Sequence, residues 1–112
     1  MIYHIVSKTD WQNAEASDTY RGDTLDTEGF IHCSTMVQVA NTGSRYYSGR
    51  TDLLILSIDP AQLSAEVKYE DSGKGELFPH VYGPIENEAV LAVTAFPPQP
   101  DGSFELPEGL GE

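Results

Sequence analysis

The sequence predicts an α+β fold, a largely antiparallel sheet carrying two short helices, and three observations lead there. Strand-like stretches outnumber helical ones, of which only two have a clear period. The last strand-like stretches follow one another without an intervening helix, which disfavours the crossovers of a doubly wound parallel sheet. At 112 residues, 39% of them hydrophobic, the chain has length for one core and not for two.

The elements follow in order. Ile2 to Ser7 begins β-branched and aromatic, with both faces largely apolar, as in a strand buried on both sides. Thr9 and Gln12 have capping-box spacing, which predicts a helix from about Asp10 to Ala16 with Trp11 and Ala14 inward. Tyr20 to Thr27 is polar and irregular, and Gly29 stops the short turn that Leu25 begins. In Phe30 to Ser34, alternation puts Phe30, His32 and Ser34 on one face and Ile31 and Cys33 on the other. Thr35 and Gln38 repeat the capping-box spacing, and Met36, Val39, Ala40, Gly43, Tyr46 and Tyr47 recur at helical intervals up to Gly49. Leu53 to Ile58 reads as a buried strand that leaves through Asp59-Pro60, and Val67 to Glu70 as a short one. The two prolines of Phe78-Pro79-His80-Val81-Tyr82-Gly83-Pro84 favour a sheet edge or an extended loop. Ala89 to Phe96 is the last strong strand. The expected organisation is one globular domain over residues 1–96, followed by an acidic, Pro/Gly-rich tail, 97–112, serving at most as a surface strap.

The formal charge of -12, from 18 acidic against 6 basic side chains, opposes nonspecific nucleic-acid binding and docking on anionic lipid. Cys33 is the single cysteine, so no internal disulfide forms. No apolar run approaches the roughly 20 residues of a membrane helix, and a leader pattern is not visible, so a cytoplasmic location is expected.

The chain has three histidines: His4 in the first strand, His32 in the second and His80 between Pro79 and Tyr82. Each taken alone reads as a satisfied core imidazole. Taken together they are expected to converge on one cleft, with Ser34 and Tyr82 beside them, as a small-molecule pocket. An imidazole's ordinary pKa near 6.5 would let such a cleft change charge between roughly pH 5 and 8. The spacing of His4, His32, His80 and Cys33 lacks the close pairs of a zinc site, so no metal is expected, and no cofactor is specified. Cys33, on the apolar face, reads as packing, and Tyr46 and Tyr47 as core, although they could stack on a base. Gly73-Lys74-Gly75 lacks the strand, helix and Lys-Ser/Thr ending of a phosphate loop.

Several stretches together resemble the domain of unknown function 952 family. They are Ile2-Tyr3-His4, Glu28-Gly29-Phe30-Ile31-His32-Cys33-Ser34-Thr35, Val39-Ala40-Asn41 through Tyr46-Tyr47, Asp52-Leu53-Leu54 with Ile58-Asp59, and Phe78 to Pro84. The resemblance reaches to about Phe96. It implies a small bacterial protein with an ADP-ribosyltransferase-like split sheet, in which nicotinamide adenine dinucleotide lies in a cleft. Tyr3-His4 is similar to the first motif of transferases that use His, Tyr and Glu, and Ile31 to Ser34 to a core strand of the RNA 2'-phosphotransferases. By that likeness His4 would hydrogen-bond a ribose hydroxyl, and Ser34 or His32 would line the nicotinamide or phosphate side. The glutamate opposing positive charge would be Glu70 or Glu86, with Glu88 also nearby in sequence. The implied ligand of the cleft is a nucleotide or another ribose- or phosphate-bearing molecule, and the implied activity is transfer or hydrolysis at a ribose; a noncatalytic binding or regulatory module using the same cleft or an exposed aromatic face is the alternative.

Overall fold

The computed structural model describes residues 1–71, 73 and 75–110; Lys74 of the Gly-Lys-Gly stretch lies outside them. Ten of the elements that position the site are eight strands and two helices. The strands are β1 (Ile2–Ser7), β2 (Thr19–Tyr20), β3 (Ile31–His32), β4 (Leu53–Ile58), β5 (Val67–Asp71), β6 (Leu77–Val81), β7 (Ile85–Glu86) and β8 (Val90–Ala95). The helices are α1 (Lys8–Glu15) and α3 (Met36–Tyr46), with α2 (Leu25–Glu28) a single turn between them. Every described strand pairing is antiparallel, so the molecule is a mixed α+β fold with few helices.

Two three-stranded sheets, ordered β1-β4-β8 and β3-β6-β5, meet along a seam. Residues 31–34 make the join. Ile31 and His32 pair with Val81 and His80 of β6, and Cys33 still donates to the Pro79 carbonyl at 3.0 Å. Ser34 then turns to β1, exchanging both backbone hydrogen bonds with Tyr3, at 2.7 and 2.8 Å. One short segment thus belongs to both sheets, and the sheets diverge beyond it.

The apolar runs of β1 and β4 are explained by burial on both faces. Ile2 and Val6 join Leu56 and Ile58 against Trp11 and Ala14 of α1. Tyr3 and Ile5 join Leu53 and Ile55 against Val39 of α3. Period-two alternation therefore feeds two core clusters from the same strands.

Four expectations need correction. The cap of α1 is Ser7, whose Oγ accepts the Asp10 N–H at 3.1 Å, not Thr9. On α3 the reach-back bond from Gln38 Oε1 to the Thr35 N–H is present, but Met36 and Tyr46 are exposed and the buried side is Gln38, Val39 and Gly43. Pro79 lies in β6, the middle strand of its sheet rather than an edge. It is tolerated because the donor it lacks would point toward residue 33, where the neighbouring chain already leaves for β1.

The fourth correction concerns the acidic tail, which is part of the core. Phe104 and Leu110 are buried in the α3-side cluster, and the Phe104 ring stacks on Phe96 with centroids 4.5 Å apart. Phe104 N–H donates to Ser44 Oγ at 2.9 Å and Gly49 N–H to the Gly102 carbonyl at 2.9 Å, so α3 holds the segment down. A Cβ on Gly43 would stand 2.7 Å from the Phe96 ring and 3.2 Å from that of Phe104, which is why the helix carries a glycine there. No described helix is long and apolar enough to cross a membrane.

Candidate functional site

Where the two sheets diverge, a cavity of about 480 Å³ opens. Its walls include Tyr3, His4 and Ile5 from β1, His32 through Ser34 from the seam, and Phe78 and His80 from β6. Thr42, Tyr46 and Tyr47 of α3 and its C-cap close one side, and Asp23, Thr24 and Glu28 around α2 the other. All three histidines line this cavity, from three different strands or strand ends. Their chemical situations differ.

His4 is fully engaged within the chain. Its Nδ1 lies 2.6 Å from the His32 carbonyl, which can only accept, so Nδ1 carries the proton. Its Nε2 lies 2.8 Å from the Tyr20 hydroxyl and accepts from it. Burial, opposed by the bond to the His32 carbonyl, pushes the His4 pKa down to about 4, so the ring is neutral at pH 7. Burial likewise holds the Tyr20 phenol well above its usual range, keeping it a donor. The expectation that all three histidines change charge between pH 5 and 8 therefore fails for His4. The expectation that His4 bonds a ribose hydroxyl meets two nitrogens already occupied. Tyr20 was not legible as its partner, because β2 is only two residues long and is set in place by pairing with Ile85 of β7.

His32 stands at the surface, with Nε2 3.1 Å from Glu28 Oε1 and about half its side chain exposed. Glu28 lies four residues earlier, across the Gly29 turn, whose φ of +88° lets α2 end and the chain reverse into β3. Such an exposed pair contributes at most about 1 kcal/mol to stability.

His80 is 4% exposed, held by packing and by one strong partner. Its Nδ1 lies 3.0 Å from Glu70 Oε1, across the β5–β6 ladder. The Tyr82 hydroxyl donates a short hydrogen bond to the same carboxylate oxygen. The Tyr82 hydroxyl first, and His80 after it, hold the Glu70 carboxyl below the usual carboxylate range. Phe30 lies flat on the His80 imidazole, centroids 4.1 Å apart and planes 17° from parallel, and His32 meets it edge-on at 5.3 Å.

Of the other expected residues, Ser34 is buried, and its Oγ pairs with Thr42 Oγ1 at 3.2 Å. Glu70 and Tyr82 reach the cavity only through His80, since neither lines it. Glu86 is not brought to the cavity at all: it lies on β7, where its carboxylate accepts the Ser64 N–H at 2.9 Å. Cys33 packs inward and burial pushes its thiol up to about 12, as its strand position implies. Tyr46, read from the sequence as core, is exposed and presents a wall to the cavity, whereas Tyr47 lines the cavity and also packs against the α3-side core cluster. Among the described residues no cluster of three His, Cys, Asp or Glu side chains could hold a metal ion.

The lining carries two carboxylates, Asp23 and Glu28, and no lysine or arginine among the described residues. Arg21 is paired with Asp26 and Arg50 with Asp52, and Lys68 lies over the Tyr82 ring. The cavity therefore favours a neutral or cationic group over a phosphate.

A family model described as Protein of unknown function (DUF952) matches residues 5–93. Among solved structures, the crystal structure of protein CC0527 from Caulobacter crescentus is 31% identical, with a TM-score of 0.85, covering 94% of this chain and 93% of that one. A double mutant of that protein superposes with a TM-score of 0.84 at 30% identity, over 94% of this chain and 93% of that one. Its solution NMR structure gives 0.82 at 31% identity, covering 94% and 91%. No curated protein matches.

Proposed function

The chain belongs to the family of proteins of unknown function DUF952, and from that premise we propose that the seam cavity binds a small molecule through a ribose-bearing, neutral or cationic group. One observation carries this reading: His4, His32 and His80, far apart in sequence, line one cavity of about 480 Å³. That volume lies within the roughly 300–1,000 Å³ of small-molecule sites, and an apolar wall with a few converging polar groups is their usual make-up. We read the fold as the ADP-ribosyltransferase type. What supports this is the split at the Tyr3–Ser34 bridge and the position of the cavity in the split.

The acidic lining narrows the ligand. A nicotinamide riboside moiety, a ribose on a positively charged ring, suits Asp23, Glu28 and the tyrosine wall, while any phosphates would remain outside. His4 serves this site by fixing the seam, and direct contact falls to His32, His80, Ser34, Tyr46 and Tyr47.

The test is thermal unfolding of the full chain with nicotinamide riboside, nicotinamide adenine dinucleotide and adenosine. A ligand at a hundred times its Kd adds about 2.7 kcal/mol, a rise of roughly 10 °C for a domain of this size. The expected result is such a rise with the first two compounds and its loss in Tyr46→Ala. No rise with any ribose-bearing compound would sink the reading and favour a noncatalytic module for another kind of partner.

A further inference from the structure

Resting on the reading of the seam cavity as a small-molecule site, we propose that His80 is a general base in it, its Nε2 taking a proton from water or a ligand hydroxyl, with Glu70 and Tyr82 as positioning residues.

The geometry starts from Glu70. A carboxylate only accepts, so the 3.0 Å contact requires the proton on His80 Nδ1, and the neutral imidazole then carries its lone pair on Nε2. Tyr82 donates to the same Glu70 oxygen, which keeps the carboxylate ionised and its position fixed. Phe30 stacked on the ring removes the remaining rotational freedom. Among the described residues Nε2 has no hydrogen-bond partner, and it is not one of their buried, unpartnered side-chain polar atoms, Thr35 Oγ1 and Asn87 Oδ1. His80 lines the cavity and Glu70 does not, so Nε2 is the nitrogen that opens to it.

This is base, orienting carboxylate and anchoring hydroxyl in series, the arrangement that holds one tautomer and stabilises the imidazolium when a proton arrives. Among the described residues, the charged and titratable groups around the ring are Glu70 and Lys68 on β5, His32 on β3 with its partner Glu28, and Tyr82 beyond β6. In a hydrolytic step, His80 Nε2 takes one proton from water and the water oxygen bonds the electrophilic carbon. The bond to the leaving group breaks with its electron pair on that group. The imidazolium then returns its proton to the leaving group or to solvent. Nothing beyond water and substrate is consumed.

A probe needs only to fit the cavity and report proton transfer. Hydrolysis of p-nitrophenyl acetate by the full chain is expected to saturate, to exceed the rate with equimolar free imidazole, and to slow in D₂O. His80→Ala should lower it about tenfold or more, since general-base catalysis is typically worth about 10²–10⁴-fold. Glu70→Gln should slow it and weaken the preference for a proton on Nδ1, because an amide can donate to that nitrogen as well as accept from it. Glu15→Gln, on the exposed side of α1, should leave it unchanged. Long-range ¹H–¹⁵N spectra of the unmodified protein should place the proton of the neutral His80 ring on Nδ1.

A proton on Nε2, a rate no greater than imidazole's, no slowing in D₂O, or undiminished turnover in a folded His80→Ala variant would each overturn the assignment. If His80→Ala does not fold, the spectra of the parent and of Glu70→Gln decide. The two readings fail separately. Turnover that needs His80 without any nucleoside-induced thermal shift removes the ribose reading alone, and a shift with turnover indifferent to His80 removes the base alone.

Discussion

Replacing Phe104 by alanine should destabilise the protein by about 3–5 kcal/mol, the range for removing a large buried aromatic side chain. The structure places it at that level for two reasons. Phe104 is only 5% exposed, and its ring stacks on Phe96 at 4.5 Å in a cluster with Tyr3, Val39, Leu53 and Ile55. The hole left cannot collapse easily, because α3 is already in close contact at Gly43 and the floor is a β-sheet. Small domains are stable by about 5–15 kcal/mol in all, so the loss is a large share of the total. Urea unfolding followed by the fluorescence of Trp11, which is buried in the opposite cluster, reports the global transition. With an m value of about 1–3 kcal/mol per molar, the midpoint should fall by more than about 1 M. Truncation after Phe96, which also removes Leu110, should be worse still. A loss below about 1 kcal/mol at unchanged m would refute the reasoning, and the segment after residue 96 would then be a strap after all.

Two further outcomes follow from buried titrating groups. His4 is held at about 4 in the fold against an ordinary 6.5, so between those values the unfolded chain binds more protons. Stability is then full above pH 6.5 and falls on acidification toward pH 4, by at most roughly 3 kcal/mol at 1.36 kcal/mol per unit. Urea midpoints at pH 7 and 4.5 should show this slope in the parent and a smaller one in His4→Gln; equal slopes would show that His4 is not its source. Cys33 is 3% exposed with its thiol pushed up to about 12, so a disulfide reagent at pH 8 should label it only as fast as the fold opens. Labelling at the rate of a free thiol would mean the register of residues 31–34 is wrong.

The sequence by itself determined the elements whose signals are local. Ile2–Ser7 and Leu53–Ile58 appear with the predicted bounds, since a run of β-branched and aliphatic residues has few other ways to be buried. The Gln38 reach-back and the Gly29 stop are likewise short-range chemistry. The alternation in residues 30–34 assigned Ile31 and Cys33 to the core and His32 and Ser34 to the other side without knowledge of any partner strand. Which element caps a helix within two residues was less secure, as Ser7 in place of Thr9 shows.

Only the tertiary structure decided the rest, because each remaining feature is a contact between segments far apart in the chain. Pro79 is acceptable in a middle strand only because residues 33–34 leave β6 for β1 at that point. Phe104 and Leu110 are scattered among prolines, glycines and acids, and their local composition cannot reveal a core face that α3 and β4 have left open. His4, His32 and His80 carry the same side chain, yet their partners set them apart: a carbonyl and a phenol, a surface glutamate, and a partly exposed carboxylate shared with Tyr82. Side-chain identity supplied the three candidates, and long-range pairing of strands decided which partners engage each ring.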